Sequence, residues 1–337
     1  MASYSIGVDL GGTNLRIAAV DEQGKLLEKV TLGTQVALGR DRVVNDMCAA
    51  VQQVSGKHKN SGRLLGIGIG VPGIIDMKTG MVHESPNLPD WADYPARDEI
   101  EKRLGTRVIL ENDANSAALG EKWLGAAREF DDMAMLTLGT GVGGGLVLGG
   151  RVWHGMTGMA GEFGHTTVEP NGALCGCGNL GCLEAYASAT AVVRMAREAM
   201  SNGAAALVRA ATSDPEFNAK VVYNLAIQGD EDARKIFRRV GSAIGLVLSN
   251  LVNALNLPIY VIGGGVSNAW DAFAPSIFEE LSRRSMVYAA TGPEGGSREG
   301  ASAKVKPNST TKTVITRALL GSDAGLFGAA RLPMTSS

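Results

Sequence analysis

The chain opens on alternating apolar and polar positions. "YSIGVDL" from Tyr4, the turn "GGTN", "LRIAAVD", a second turn at "EQGK" and "LLEKVTL" predict three strands joined as successive hairpins. The period then lengthens, and apolar positions three and four apart predict a helix from about Arg42 to Val54. "LLGIGIGVPG" sets glycine at alternate positions. This predicts a strand with one bare face, against which another backbone or a ligand lies close. "TRVILEND" is an apolar strand ending at Asn112 and Asp113, and "ANSAALGEKWLGAA" continues it as a helix. Asp113 thus falls at a strand-to-helix junction, where open α/β sheets bind their ligands. A second hairpin starts at Asp132, with "MAMLTLGTG", glycines at 141, 143, 144 and 145, and "LVLGGRVWHG". It repeats the layout of the first, as a duplicated unit would. Helices over Ala187–Met200 and Asp230–Asn256 follow, then "LPIYVIGGGVSNAW", which reads as a buried strand, three glycines and a helix. The polar stretch from Tyr288 to Lys312 is assigned no structure, and "GSDAGLFGAARL" closes the chain as a short helix.

Composition narrows the function classes. With 337 residues, 45% of them hydrophobic, and a formal charge of −2, the chain can bury the cores of two domains. No lysine or arginine block stands out, which argues against a nucleic-acid partner. The start "MASYSIGVDL" lacks a secretory signal, so a cytoplasmic protein is expected. The most apolar run, "AIGLVLSNLVNALNL", is broken by Ser249, Asn250, Asn253 and Asn256 and predicts a buried helix rather than a membrane span. Cys48 stands alone on a helix face as a small apolar residue; the other three cysteines lie within eight residues of one another.

Three glycine-rich turns, "DLGGT", "GTGVGGG" and "IGGGV", each follow a strand. Glycine lets backbone N–H groups converge on an anion with no Cβ in the way, so the trio points to a nucleotide gripped by its phosphates. The candidates are Asp9, Gly11, Gly12, Thr13 and Asn14 in the first turn and Thr140, Gly141, Val142, Gly143 and Gly144 in the second. Gly264 and Gly265 in the third would accept base and ribose. A carboxylate such as Asp9 beside phosphate requires a cation between them, for which Mg2+ is suited. None of the turns is a Walker loop, and a strand follows "GTGVGGG" where a dinucleotide fingerprint needs a helix. Tight turns and close packing remain the ordinary reading of any one of them. Asp113 is a candidate general base; helix N-cap is its alternative role. Cys175-x-Cys177-x4-Cys182 with His165 supplies the ligands of a closed tetrahedral zinc site. The spacing is tighter than a generic knuckle, and a packed or redox-active loop would fit the pattern too.

Taken in order, "DLGGT" at Asp9, "LENDANSAALGE" at Leu110, "GTGVGGG" at Gly139 and "GEFGH…CGCGNLGCLEAY" at Gly161 resemble the ROK family, most closely its bacterial glucokinases. That resemblance implies an α/β, actin-like (ribonuclease H-like) two-domain ATPase fold with mixed sheets. Hexose and nucleotide would meet in an interdomain cleft. Residues 1–113 would form a small N-terminal domain joined by the C-terminal helix 322–337, and 114–321 a large domain with the zinc loop and nucleotide site. The implied reaction is ATP-dependent, Mg2+-assisted phosphorylation of the 6-hydroxyl of glucose. N-acetylmannosamine, N-acetylglucosamine, fructose and allose are alternative acceptors, and polyphosphate an alternative donor. Asp113 matches the family's base; Asn112, Glu162, His165 and Glu184 match its sugar ligands, with Gly73 as a backbone contact. His165, Cys175, Cys177 and Cys182 match a structural zinc site, in which the metal would fix one nitrogen of His165 and leave the other to face the sugar. On the bare residues, Glu162 and Glu184 read equally as solvated surface charges. The resemblance further implies a homodimer or homotetramer. Many relatives carry Lys after "GGT"; this chain has Asn14 and then Arg16. ROK repressors place a DNA-binding module ahead of the shared core, and with eight residues before Asp9 the kinase reading is preferred.

Overall fold

The structure, a computed structural model, describes residues 3–60, 62–293 and 312–335. In chain order its strands are β1 (Ser3–Leu10), β2 (Asn14–Asp21), β3 (Leu26–Gly33), β4 (Arg63–Val71), β5 (Ile74–Asp76), β6 (Met81–Glu84), β7 (Val108–Asn112), β8 (Met133–Leu138), β9 (Val142–Leu148), β10 (Arg151–Val152), β11 (Ile259–Gly263) and β12 (Val314–Arg317). The helices are α1 (Arg40–His58), α2 (Ala96–Leu104), α3 (Asp113–Leu124), α4 (Glu184–Ala187), α5 (Ala189–Ser201), α6 (Ala205–Ser213), α7 (Ala219–Ile227), α8 (Glu231–Leu255), α9 (Trp270–Arg284), α10 (Met286–Thr291) and α11 (Ala324–Thr335). Two compact units result. One falls within Met1–Met133, Gly145–Gly161 and Leu319–Ser337, the other within Ala134–Gly144 and Glu162–Ala318.

The two five-stranded sheets repeat one order, β3-β2-β1-β4-β7 and β10-β9-β8-β11-β12. In each, a three-strand meander is followed by two strands added beyond its first member, the arrangement a duplicated unit produces. The first sheet is mixed: β1 pairs antiparallel with β2 and parallel with β4, and β4 pairs parallel with β7.

In the first unit, alternation decides which face is core. Ile6, Val8, Leu10, Ile67, Ile69 and Val71 point to one side and are buried with Met47 and Val51 of α1 and with Trp91. Each such fully buried side chain contributes about 1.5–3 kcal/mol. The opposite face carries Gly7, Gly66, Gly68 and Gly70. A Cβ on Gly68 would overlap the Ala329 carbonyl and one on Gly7 the Leu326 carbonyl, so it is the backbone of α11 that lies on the bare face. At Gly70 the neighbour is the first turn of α3, with Ser116 Oγ 3.1 Å from where a Cβ would sit. α11 and α3 also cross closely, since a side chain on Gly328 would strike the Ser116 carbonyl and one on Gly120 the Ala324 carbonyl.

In the second unit α8 is the long helix expected from Asp230 onward. Asp230 caps it by accepting the Ala233 N–H at 2.8 Å, and Asn256 ends it in the left-handed conformation. α9 packs on α8 over Gly241, and Phe237, Ile244, Tyr260, Phe273 and Ile277 are fully buried. Two sequence expectations change. The helix expected from Ala187 begins at Ala189 as α5, because Ser188, whose extended backbone (φ −79°, ψ 161°) ends α4, caps it through its hydroxyl at the Ala191 N–H. The polar stretch from Tyr288 begins inside a helix, α10, because Ser285 accepts the Tyr288 N–H at 3.0 Å and starts a turn there. Its residues 294–311 lie outside the described residues. Among the described residues no helix is long and apolar enough to cross a membrane.

Candidate active site and metal centre

β1, β4 and β7 are parallel, with Asp9, Gly70 and Glu111 in register, so the Asp9–Thr13 turn and the Asn112–Asp113 junction leave the same carboxyl edge of the first sheet. Two strand spacings separate them, about 10 Å. At the turn, the Gly11 N–H donates to Asn14 O (2.9 Å), while Thr34 donates its N–H to Thr13 O (2.9 Å) and its hydroxyl to Gly11 O (2.7 Å). Among the described residues the Gly12 and Thr13 N–H groups take no intramolecular acceptor, which leaves two adjacent donors for an anion. Asn14 starts β2 and is exposed. Asp9 Oδ2 accepts from the Arg16 guanidinium at 2.8 Å, across the β1–β2 pair. Burial pushes the Asp9 carboxyl above its ordinary range, against the pull of Arg16. Arg16 is thus one cation beside Asp9, and it occupies one of the two carboxylate oxygens.

At the junction, Asn112 is the N-cap of α3. Its Oδ1 accepts the Ala114 and Asn115 N–H groups at 2.9 and 3.2 Å, and its Nδ2 donates to Gly73 O at 3.2 Å. Gly73 has φ +122° and a Cβ there would strike the Glu84 carbonyl, so only glycine can turn its carbonyl to Asn112. The two sequence readings of Asp113 separate here. The capping role belongs to Asn112, and Asp113 is the first helical residue, half-buried, with Oδ1 accepting the Ala114 N–H at 2.9 Å. One residue earlier lies a group the sequence reasoning missed: Glu111, 1% exposed, bonded to the Asn112 N–H and to His154. Its signal was a lone acid inside an apolar strand.

In the second unit, two isolated bridges, Thr167 with Cys182 and Leu174 with Leu180, fold the cysteine loop back on itself. The donor atoms of His165, Cys175, Cys177 and Cys182 all lie within 4.8 Å of one another. Cys175 Sγ is 3.7 Å from His165 Nδ1, and Cys177 Sγ is 3.7 Å from Cys182 Sγ. Arms of ~2.3 Å around one tetrahedral zinc give donor–donor edges of ~3.8 Å, so the set fits that ion. Burial pushes the Cys175 thiol up to about 12 and raises Cys182, whereas the Asn179 backbone N–H lowers Cys177. A bound divalent ion is what would hold all three as thiolates. The other ring nitrogen of His165, Nε2, lies 3.9 Å from Glu162 Oε2.

Glu184, the first residue of α4, links this loop to the second glycine turn. Its Oε2 accepts the Val142 N–H at 2.9 Å and its Oε1 lies 3.6 Å from Cys175 Sγ. A Cβ on Gly141 would collide with this carboxylate. The turn itself is shorter than the glycine run suggested. Gly139 N–H bonds Gly141 O at 2.9 Å, and Val142, Gly143 and Gly144 already belong to β9. The start of α5 fastens the turn, through Ala189 N–H to Gly139 O (2.8 Å) and Thr190 Oγ1 to Thr140 O (2.9 Å). In the third glycine run, Gly264 has φ +83° and packs against the Leu138 backbone; Gly265 is exposed, with open space beside it.

The ROK family pattern matches residues 5–335. A glucokinase of Thermotoga maritima is 40% identical over 97% of this chain and 96% of its own. Among solved structures, a ROK hexokinase from Thermus thermophilus superposes with a TM-score of 0.76 at 33% identity, covering 97% of this chain and 96% of its own. A ROK family glucokinase from Streptomyces griseus, in complex with glucose and AMPPNP, does so with 0.75 at 36% identity, covering 98% of both chains. The mixed α/β architecture described above is accordingly that of the actin-like sugar kinases, and the chain belongs to the ROK family.

Proposed function

We propose that this protein is a hexokinase-type phosphotransferase that moves the γ-phosphoryl group of ATP to the 6-hydroxyl of glucose. The observation that carries this reading is the pairing of Asp113, relieved of capping by Asn112, with an anion-ready hairpin at the same sheet edge. The name glucokinase of a relative 40% identical, and the glucose and AMPPNP bound in the Streptomyces griseus protein, support the choice of substrates.

In the proposed mechanism Asp113 accepts the 6-hydroxyl proton while the sugar oxygen bonds to the γ-phosphorus and the bond from that phosphorus to the β-phosphate bridging oxygen breaks, releasing ADP. Asn112, with the Gly73 carbonyl that it orients, and Glu162, His165 and Glu184 would hold the remaining hydroxyls. The Gly12 and Thr13 amides and the turn at Thr140 and Gly141 hold phosphate oxygens. Asp9 has one oxygen on Arg16 and a second without a hydrogen-bond partner among the described residues, enough for one ligand to Mg2+. Mg2+ supplies charge neutralisation on the phosphates when bound. His165, Cys175, Cys177 and Cys182 would hold a structural zinc. Its contribution is architectural: with Nδ1 committed to the cysteine cluster, Nε2 of His165 is presented beside Glu162.

A coupled ADP-release assay with Mg-ATP over a panel of hexoses tests the proposal. Turnover with glucose is expected. Turnover confined to an N-acetylated sugar would replace the substrate, and none with any hexose would overturn the enzymatic reading.

A further inference from the structure

Glu111 and His154 are drawn together by the fold and unused in the mechanism above. Glu111 lies on β7 with its side chain 2% exposed, and both carboxylate oxygens are engaged. Oε1 accepts the Asn112 N–H at 3.0 Å and Asn115 Nδ2 at 3.1 Å; Oε2 lies 2.7 Å from His154 Nε2. His154 follows β10, is one-third exposed, and its own carbonyl accepts the Ala160 N–H at 3.2 Å. A buried carboxylate is tolerated only when it is paired and hydrogen-bonded, and His154 is the partner that meets its second oxygen. From β4 the facing residue is Gly70, which brings no charge, and from α3 it is Asn115.

We infer that Glu111 and His154 form a positioning pair that fixes the Asn112–Asp113 junction for phosphoryl transfer. The chain of contacts is continuous. His154 holds one oxygen of Glu111, the other holds the Asn112 amide, and the Asn112 side chain caps α3 and holds Gly73. Asp113, the next residue, takes its place in the first turn from that cap. Loosening the pair would let the junction tilt, and misplacement of a base by an ångström is costly in rate.

The inference rests on Asp113 being the base, and the test separates the two. Asp113→Asn, His154→Leu, His154→Gln and Glu111→Gln are compared with the parent in glucose and ATP titrations, with thermal melts alongside. Leu cannot donate to Glu111; the Gln amide can. H154L and E111Q are expected to lower kcat/KM for glucose about tenfold or more while the KM for ATP stays within about twofold, and H154Q to recover most of the loss. Parental glucose kinetics in both H154L and E111Q, or H154Q as impaired as H154L, would overturn the pair even where Asp113→Asn is inactive. An active Asp113→Asn would instead overturn the base on which it rests. Should H154L melt below the assay temperature, E111Q and H154Q carry the comparison.

Discussion

Replacing Asp113 by asparagine removes a negative charge at nearly constant shape, with one consequence for the helix and one for the reaction. The cap of α3 is Asn112, whose Oδ1 accepts the Asn115 N–H and shares the Ala114 N–H with Asp113. The bond from the Ala114 N–H to Asp113 Oδ1, at 2.9 Å, can be accepted equally by an asparagine oxygen. What the helix loses is a negative charge at its N-terminus, about 0.3–1 kcal/mol. What the reaction loses is the group that takes the hydroxyl proton, at least about 10²-fold in rate. That is about 2.7 kcal/mol of barrier. The assay is steady-state ADP release with saturating glucose and Mg-ATP, paired with a urea melt of each protein. The expected result is a variant that unfolds within about 1 kcal/mol of the parent and turns over at least about a hundredfold more slowly. Near-parental turnover would refute the role of Asp113. A matching collapse of stability would return it to a structural one.

Other expectations follow from the same geometry. Cys177→Ala, at the exposed member of the cluster, should lower bound zinc measured by mass spectrometry and glucose affinity measured by calorimetry together; loss of the metal with unchanged glucose affinity would break the link through His165. Glu121 is wholly buried and its carboxylate accepts the backbone N–H groups of Ala126, Leu319 and Leu320 at 2.7, 3.1 and 2.7 Å. Glu121→Ala leaves these donors without a partner and should destabilise the protein by about 2–4 kcal/mol in denaturant melts. Glu111 raises the His154 pKa above its ordinary value of about 6.5, so the folded protein holds that proton more tightly than the unfolded chain. The resulting stabilisation is full below the unfolded value and is lost as pH rises through the folded one; the difference in melting temperature between the parent and H154L should shrink over that window.

Much of the site was legible because its chemistry is written in short, local strings. The cysteine loop needs only its own bridges to bring Cys175, Cys177 and Cys182 together, and the Asp9 turn is closed by residues 11 and 14. The alternate glycines of β4 announced a close neighbour, but not that it would be α11, because that partner lies more than 250 residues on and no local pattern names it. β12 escaped for the same reason. Four residues paired in parallel with β11 across a long connection carry little periodicity of their own. Glu184 was expected to face a sugar, and its bond to the Val142 amide could not be read, since it joins positions 42 apart through a turn whose shape the glycine run left open. Glu111 was hidden differently. Its neighbours Asn112 and Asp113 drew the reading, although an acid within "VILEND" is costly enough to bury that it needed a partner.

The most direct test of the account is phosphorus NMR of the parent protein incubated with Mg-ATP and either glucose or 6-deoxyglucose. Consumption of ATP with a new phosphomonoester signal coupled to the sugar's C6 protons, absent with the 6-deoxy sugar, is the predicted result. A phosphoryl group appearing at another position, or no sugar phosphate at all, would contradict it.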